Sequence, residues 1–195
     1  MPSVTALRAR GPGRVAVELD GAPWRVLPVD VVARAGLAEG RVLDRPALRL
    51  VRRELRRAEA LRAATRALRA RDLSRRRLAE RLAGSDIAPA AAVETLETLT
   101  RAGLVDDARV ARNRATSLAE RGYGDGAIRH RLAAEGVPPE VVEEAVSALE
   151  AEGERAARLV QRRGGGPRTA RWLSARGFAE EAVEAALRGS FGQEW

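Results

Sequence analysis

The 195 residues are enough for one large domain or a few small units with cores of their own. A net charge of +8, carried by arginine because no lysine occurs, points toward a phosphate-bearing or acidic partner. The lack of cysteine excludes disulfides, cysteine-bound zinc and thiol catalysis, and 3% aromatic residues suit closely packed helices better than a large enzyme cleft.

In chain order, residues 1–13 read as a loose arm ending at Gly11-Pro12-Gly13. The arm has no signal-peptide apolar core, and no apolar run in the chain approaches the roughly 18 residues of a membrane span. The expectation is a soluble, cytoplasmic protein without a membrane partner. Val15, Val17 and Leu19 then alternate with polar or small residues, Asp20-Gly21 signals a turn, and Trp24 and Val26 continue the alternation. This predicts a β-hairpin over about 14–28. Asp30 is positioned to cap a short helix that stops near Gly36. A long helix follows from about Arg45 to Arg71, with Pro46 in its first turn and a stripe of Leu48, Val51, Leu55, Ala58, Leu61 and Leu68. Arg49, Arg52, Arg53 and Arg56 fall beside that stripe. Residues 41–81 hold fifteen arginines against five acidic residues, so much of the positive charge is concentrated there.

The remainder repeats. With Leu82, Leu132 and Leu173 as anchors, apolar residues recur at matched offsets. These are Ile87, Val137 and Phe178; Leu68, Leu118 and Leu159; Ala92, Val142 and Val183; Leu96, Val146 and Leu187. Leu78 and Ile128 form a further set that Thr169 breaks. Each copy reads as three helices. The second helix opens at Ser74, at Gly124-Asp125 or at Gly166-Pro167, and the third follows Pro89, Pro139 or Glu180-Glu181. The expected fold is mainly α: tandem three-helix repeats forming an elongated curved array, with a small N-terminal β-hairpin extension. Its segments are 1–45 (arm, hairpin, short helix), 46–105 (long helix and first unit), 106–150 (second unit), 151–190 (third unit) and a tail, 191–195.

Arg75, Arg76 and Arg77 start the second helix of the first unit. Arg129 and Arg131 lie on that of the second, and Arg168 and Arg171 on that of the third. In a stacked array these could form a basic ridge. With Arg121 and Tyr123 of the intervening turn, they are the candidate partner- or nucleic-acid-binding residues. A solvated face paired with Glu80, Glu135 and their neighbours is the competing reading. Asp106 and Asp107 read as helix caps rather than metal ligands. His130, the sole histidine, has no nucleophile partner and reads as a surface residue. Gly164–Gly166 lacks the Lys-Ser/Thr of a phosphate loop. Trp24 reads as packing for the hairpin and Trp172 as a core or interface anchor. Trp195 suggests no burial site. A lone tyrosine offers no platform for stacking single strands. No catalytic residue, metal site or cofactor is expected.

Three stretches together resemble the RecX family of bacterial regulators of the RecA recombinase. They are DLSRRRLAERL (72–82), LTRAGLVDDARVARNRA (99–115) and RGYGDGAIRHRLAAEGV (121–137). The resemblance covers roughly 60–190, and GAPWRVLPVDVVARAGL (21–37) looks like an N-terminal extension of some members. Val110 stands where the family usually has an aromatic residue, and the third unit, with Gly164–Gly166, is less typical. The resemblance implies a crescent of three-helix units that lies in the groove of a RecA–DNA filament and limits recombination and repair activity. The implied partner is the RecA filament, with single- or double-stranded DNA as a possible sequence-independent ligand, and the protein is expected to be a monomeric non-enzyme. The alternative is a direct DNA-binding protein of helix-turn-helix type, against which stands the lack of Asn or Gln base readers on the basic helices.

Overall fold

The computed structural model describes residues 1–191; Trp195 lies outside them. The chain opens with three antiparallel strands in sequential order, β1 (Val4–Ala9), β2 (Arg14–Leu19) and β3 (Ala22–Pro28). Asp20 and Gly21 have φ of 50° and 80°, as a two-residue hairpin turn of the right twist requires. Val17 and Leu27 reach the core at 1% exposure each.

Residues 1–13 are therefore not a loose arm, and the hairpin is two strands of a three-stranded meander. A register shift between Val4 and Ala6 explains why β1 escapes periodicity. Val4 is buried and Leu7 packs on the same core, a spacing of three that strict alternation does not allow. The outer edge of β1 is covered at its first residue: the Val4 N–H donates to the Arg41 carbonyl (2.9 Å) and the Gly40 N–H to the Val4 carbonyl (2.8 Å).

In helix α1 (Val29–Arg34) the N-cap position is held by Pro28, without a side-chain cap, and Asp30 sits inside the first turn, where its charge still meets the helix dipole favourably. Helix α2 (Arg45–Ala70) starts where the sequence places it. Asp44 accepts the Ala47 N–H (2.7 Å), and Pro46 occupies the first turn. Its buried face differs from the leucine stripe. Ala47, Val51, Glu54 and Ala58 are buried in the first half and Ala60, Ala64 and Ala67 in the second, while Leu48, Leu55, Leu61 and Leu68 are only half-buried. At 3.6 residues per turn the two buried sets lie roughly half a revolution apart. The helix changes the side it buries near its middle, which a single stripe cannot express. Ala47, Val51 and Ala58 share a core with the sheet and α1.

The remaining described helices are α3 (Arg75–Ala83), α4 (Pro89–Arg101), α5 (Asp107–Glu120), α6 (Asp125–Ala134), α7 (Pro139–Ser147), α8 (Glu152–Arg163), α9 (Pro167–Ala175) and α10 (Glu180–Phe191). The anchors Leu82, Leu132 and Leu173 fall on α3, α6 and α9 at 2%, 0% and 0% exposure. Thr169, the polar break in the pattern, is buried; its hydroxyl donates to the Gly164 carbonyl (2.8 Å), so no polar group is left bare there.

By its packing the chain divides into two compact bodies. One comprises Met1–Arg71 and Leu78–Ala102; the other comprises Asp72–Arg77 and the chain from Gly103 onward. The first turn of α3 thus belongs to the second body and the rest of that helix to the first. The second body holds two cores, one from α5–α7 around Ile128 and Leu132, the other from α8–α10 around Val160, Leu173 and Phe178.

Candidate partner interface

The candidate arginines of the second body are placed by two similar joints. At the first, the Ser74 hydroxyl accepts the Arg77 N–H (3.1 Å) and donates to the Glu135 carbonyl at the end of α6. The Arg75 N–H donates to Asp107 Oδ1 (2.7 Å). Arg76 and Arg77 both reach the Ala134 carbonyl (3.3 and 2.7 Å), so they satisfy a carbonyl that the α6 helix leaves open at its C-terminal end. Gly136, at φ 78°, lies under the Arg76 side chain; an added Cβ would come 2.8 Å from Arg76 Cβ.

At the second joint the Gly124 N–H donates to the Arg176 carbonyl (2.9 Å) and the Gly126 N–H to the Gly177 carbonyl (3.0 Å). The Asp125 N–H donates to Glu152 Oε1 (2.5 Å). By the anchor spacing Ser74 corresponds to Gly124, Arg75 to Asp125, Glu135 to Arg176 and Gly136 to Gly177. Asp107 and Glu152 each open a helix and each accept the first N–H of α3 or α6. The start of one second helix is therefore locked to the end of the next, with a carboxylate from the intervening helix as its cap. Glu152 also accepts the Ala179 N–H through Oε2 (3.2 Å) at the start of α10.

Arg155, 5% exposed, secures the turn from beneath. It donates to the carbonyls of Glu150 (3.0 Å) and Tyr123 (2.9 Å) and pairs with the Asp125 carboxylate. A buried arginine is tolerable because its donors are met.

Asp106 accepts the Arg109 N–H at 2.9 Å and caps its own helix, as its position predicts. That hydrogen bond holds its carboxyl below the ordinary value. Asp107 differs from the local reading, since the N–H it caps is Arg75, 32 residues away. Among the described residues no group of three His, Asp or Glu side chains is placed to hold a metal ion. No described helix is long and apolar enough to cross a membrane.

Of the candidate residues, Arg121 and Arg131 come together. With Arg114, Ser117, His130 and Glu135 they line an open cleft of about 550 Å³ between α5 and α6; Arg114 pairs there with Glu135 (3.0 Å). Arg75 is exposed beside the end of α6. Arg129 is turned toward α7, where its Nε reaches both oxygens of Glu143 (2.9 and 3.0 Å); that hydrogen bond raises the arginine further above neutrality. Arg168 and Arg171 stand exposed on α9.

Tyr123 is half-buried against the α5–α7 core, and it is not alone. Arg131 lies over its ring with Cζ 4.3 Å from the centroid. Arg176 lies 4.8 Å from the same ring and 4.5 Å from the ring of Trp172, and Arg163 lies 4.1 Å from Trp172 on its other side in the series. The order Arg131, Tyr123, Arg176, Trp172, Arg163 is a cation–π ladder. The Arg176 guanidinium is fixed by the Arg121 carbonyl (2.7 Å). Sequence reasoning missed Arg155, Arg163 and Arg176. One signal was available: the stretch from Arg155 to Ala179 holds seven arginines and no acidic residue. In the first body, Arg49, Arg52, Arg53 and Arg56 of α2 line a separate cleft with Ala88, Ala90, Ala91 and Glu94. It gives the arginine-rich stretch of α2 an exposed basic surface.

Comparison with known proteins supplies a context for this arrangement. The family model for the second three-helix domain of RecX matches residues 106–146. The regulatory protein RecX of Xanthomonas oryzae pv. oryzae (strain MAFF 311018) is 36% identical over 132 residues, covering 60% of this chain and 80% of its own. That of Halorhodospira halophila is 35% identical over 140 residues, covering 66% and 87%. A crystal structure of regulatory protein RecX superposes with a TM-score of 0.82 at 19% identity, over 97% of this chain and all 100% of that one. RecX from Lactobacillus salivarius gives a TM-score of 0.62 at 16% identity, over 70% and 97%.

Proposed function

Since the chain belongs to the RecX family of regulatory proteins, we propose that it binds the filament that RecA forms on single-stranded DNA and restrains its recombinase activity. The observation that carries the reading is the α5–α6 cleft, where Arg121, His130 and Arg131 present donors side by side on one body. A filament is a repeating target of phosphates and acidic side chains. Several weak basic contacts engaged together give an affinity that none has alone, and charge attraction speeds encounter. Held across neighbouring subunits, the protein opposes the subunit movements that ATP turnover and strand exchange require. Binding by such contacts is independent of DNA sequence, because phosphate contacts position a protein without reading bases. The helix-turn-helix alternative is weaker. The polar face of α6 offers Arg129, His130 and Arg131, of which Arg129 is tied to Glu143, and no Asn or Gln.

The test is cosedimentation with RecA filaments, with ATP hydrolysis measured in parallel. Arg76, Arg77 and Arg129 make intramolecular bonds, so the informative variant reverses Arg75, Arg121 and Arg131 to Glu. Its expected outcome is filament affinity at least about tenfold weaker, since three reversed charges each remove a worthwhile contact, with helix content unchanged. Wild-type affinity in that variant would exclude this face, and wild-type protein without effect on the filament at saturation would exclude the function.

A further inference from the structure

The ladder of Arg131, Tyr123, Arg176, Trp172 and Arg163 is assembled from four separate places: α6, the turn before it, the end of α8, and α9 with its C-terminal cap. We propose that it is a docking track for single-stranded nucleic acid. This deepens the filament reading, on which it rests for its setting, by assigning the DNA strand rather than the recombinase to this part of the second body.

The chemistry follows from how a guanidinium binds. Stacking uses its face and leaves the N–H donors at its edge free for phosphate. A ring on one side also holds the side chain in place, so less freedom is lost when an anion arrives. Arg176 is held by two rings and a carbonyl. Arg131 and Arg163 end the series, and both side chains are exposed. Each stacks on one ring, and the exposure of the residue leaves room on its outer face. A nucleobase laid on that outer face continues the alternation of cation and π system, while its own phosphate meets the guanidinium edge. An acidic peptide can use the edges but has no face to offer. A duplex keeps its base faces stacked on each other. The surroundings favour an anion: Arg162, Arg168 and Arg171 are exposed on the same two helices, within the stretch that lacks any acidic residue.

The experiment measures binding of a fluorescein-labelled dT 20-mer by anisotropy as a function of salt, with full-length protein and no RecA. The variants are Arg163→Gln and the double variant Arg131→Gln/Arg163→Gln. The control, Arg81→Gln/Arg112→Gln, loses the same charge from exposed residues that are not members of the ladder. The ladder predicts at least about tenfold weaker binding for the double variant and a salt slope lower by about 0.7 per arginine removed, with the control within about twofold of wild type. It also predicts that an abasic strand of equal length binds more weakly than dT. A Trp24→Phe/Trp195→Phe background leaves Trp172 as the sole indole, and its emission should change on binding dT. Equal losses in ladder and control variants would reduce the effect to net charge and overturn the proposal. So would equal affinity for the abasic strand, or poly-glutamate binding as tightly as dT. Cosedimentation with filaments separates the two readings. Binding of dT through the ladder by a protein that ignores RecA filaments sinks the filament reading and keeps the track. Unchanged dT affinity in the double variant, with wild-type protein still binding filaments, sinks the track and keeps the filament reading.

Discussion

Asp106 and Asp107 are neighbours that cap different helices, and the contrast marks what a sequence can disclose about single residues. Asp106 bonds three residues ahead, a spacing that local pattern anticipates. Asp107 and Glu152, and Arg155 in its bond to Tyr123, reach partners 27 to 32 residues away, and nothing in their immediate neighbourhood announces it. Tyr123 and Trp172 are the same case, since only folding brings a lone tyrosine to a tryptophan through Arg176. The Asp106 cap also has a pH signature. Its carboxyl titrates below its ordinary value of 3.8 because the Arg109 N–H favours the charged form. The charged cap therefore stabilises fully above that ordinary value, and the contribution is lost as pH falls through the lower folded value. Asp106→Ala should cost about 1 kcal/mol near neutrality. The difference in melting temperature between wild type and Asp106→Asn should shrink on acidification. A difference that stays constant from pH 7 to pH 2 would show that the charge has no part in the cap.

Among the elements, helix starts were the most legible. Asp44 with Pro46, Ser74, Gly124, Gly166 with Pro167, Pro89 and Pro139 all stand where helices begin, because the chemistry of a helix start is local. Strand β1 and the buried face of α2 were not legible, one hidden by a bulge and the other by a mid-helix change of buried side. Of the glycines of the second joint, Gly124 was read as the opening of a helix and Gly177 was not singled out. Their larger constraint is proximity: a Cβ at Gly124 would lie 2.3 Å from the Phe178 nitrogen, and one at Gly177, where φ is 80°, would lie 2.5 Å from the Ala127 nitrogen. Backbone cannot retreat as a flexible side chain can. Gly177→Ala should therefore destabilise the protein by about 3 kcal/mol, overpacking and an unfavourable φ acting together. Gly103→Ala is the matched control. Gly103 has φ 69° but open space around it, so the cost there should be about 1 kcal/mol. Equal costs in denaturant titration would mean that φ alone matters at Gly177.

Across the whole molecule, the anchor repeat disclosed most of the helical order, while the division into two bodies went unseen. That division follows packing rather than sequence, and it assigns Asp72–Arg77 to residues beyond Gly103. Separately packed bodies should open separately. Leu132 is fully buried in the α5–α7 core, and its truncation to Ala should cost about 3 kcal/mol. Hydrogen exchange should then accelerate in α5–α7 while the amides of β2 and α1, in the other body, keep their protection. Uniform loss of protection throughout the chain would show one cooperative unit instead.

The joint between α6 and the residues after α9 is made by peptide groups, Gly124 to Arg176 and Gly126 to Gly177. A bond of this kind belongs to no side chain, so it survives any mutation that leaves the backbones able to approach. Divergence at such a place is limited by size and not by chemistry: Arg176 could become many residues without losing its carbonyl, whereas Gly124 and Gly177 could not grow. In a lineage that drifts, the geometry of the joint would then outlast the letters around it, and small residues in register would remain its most durable trace.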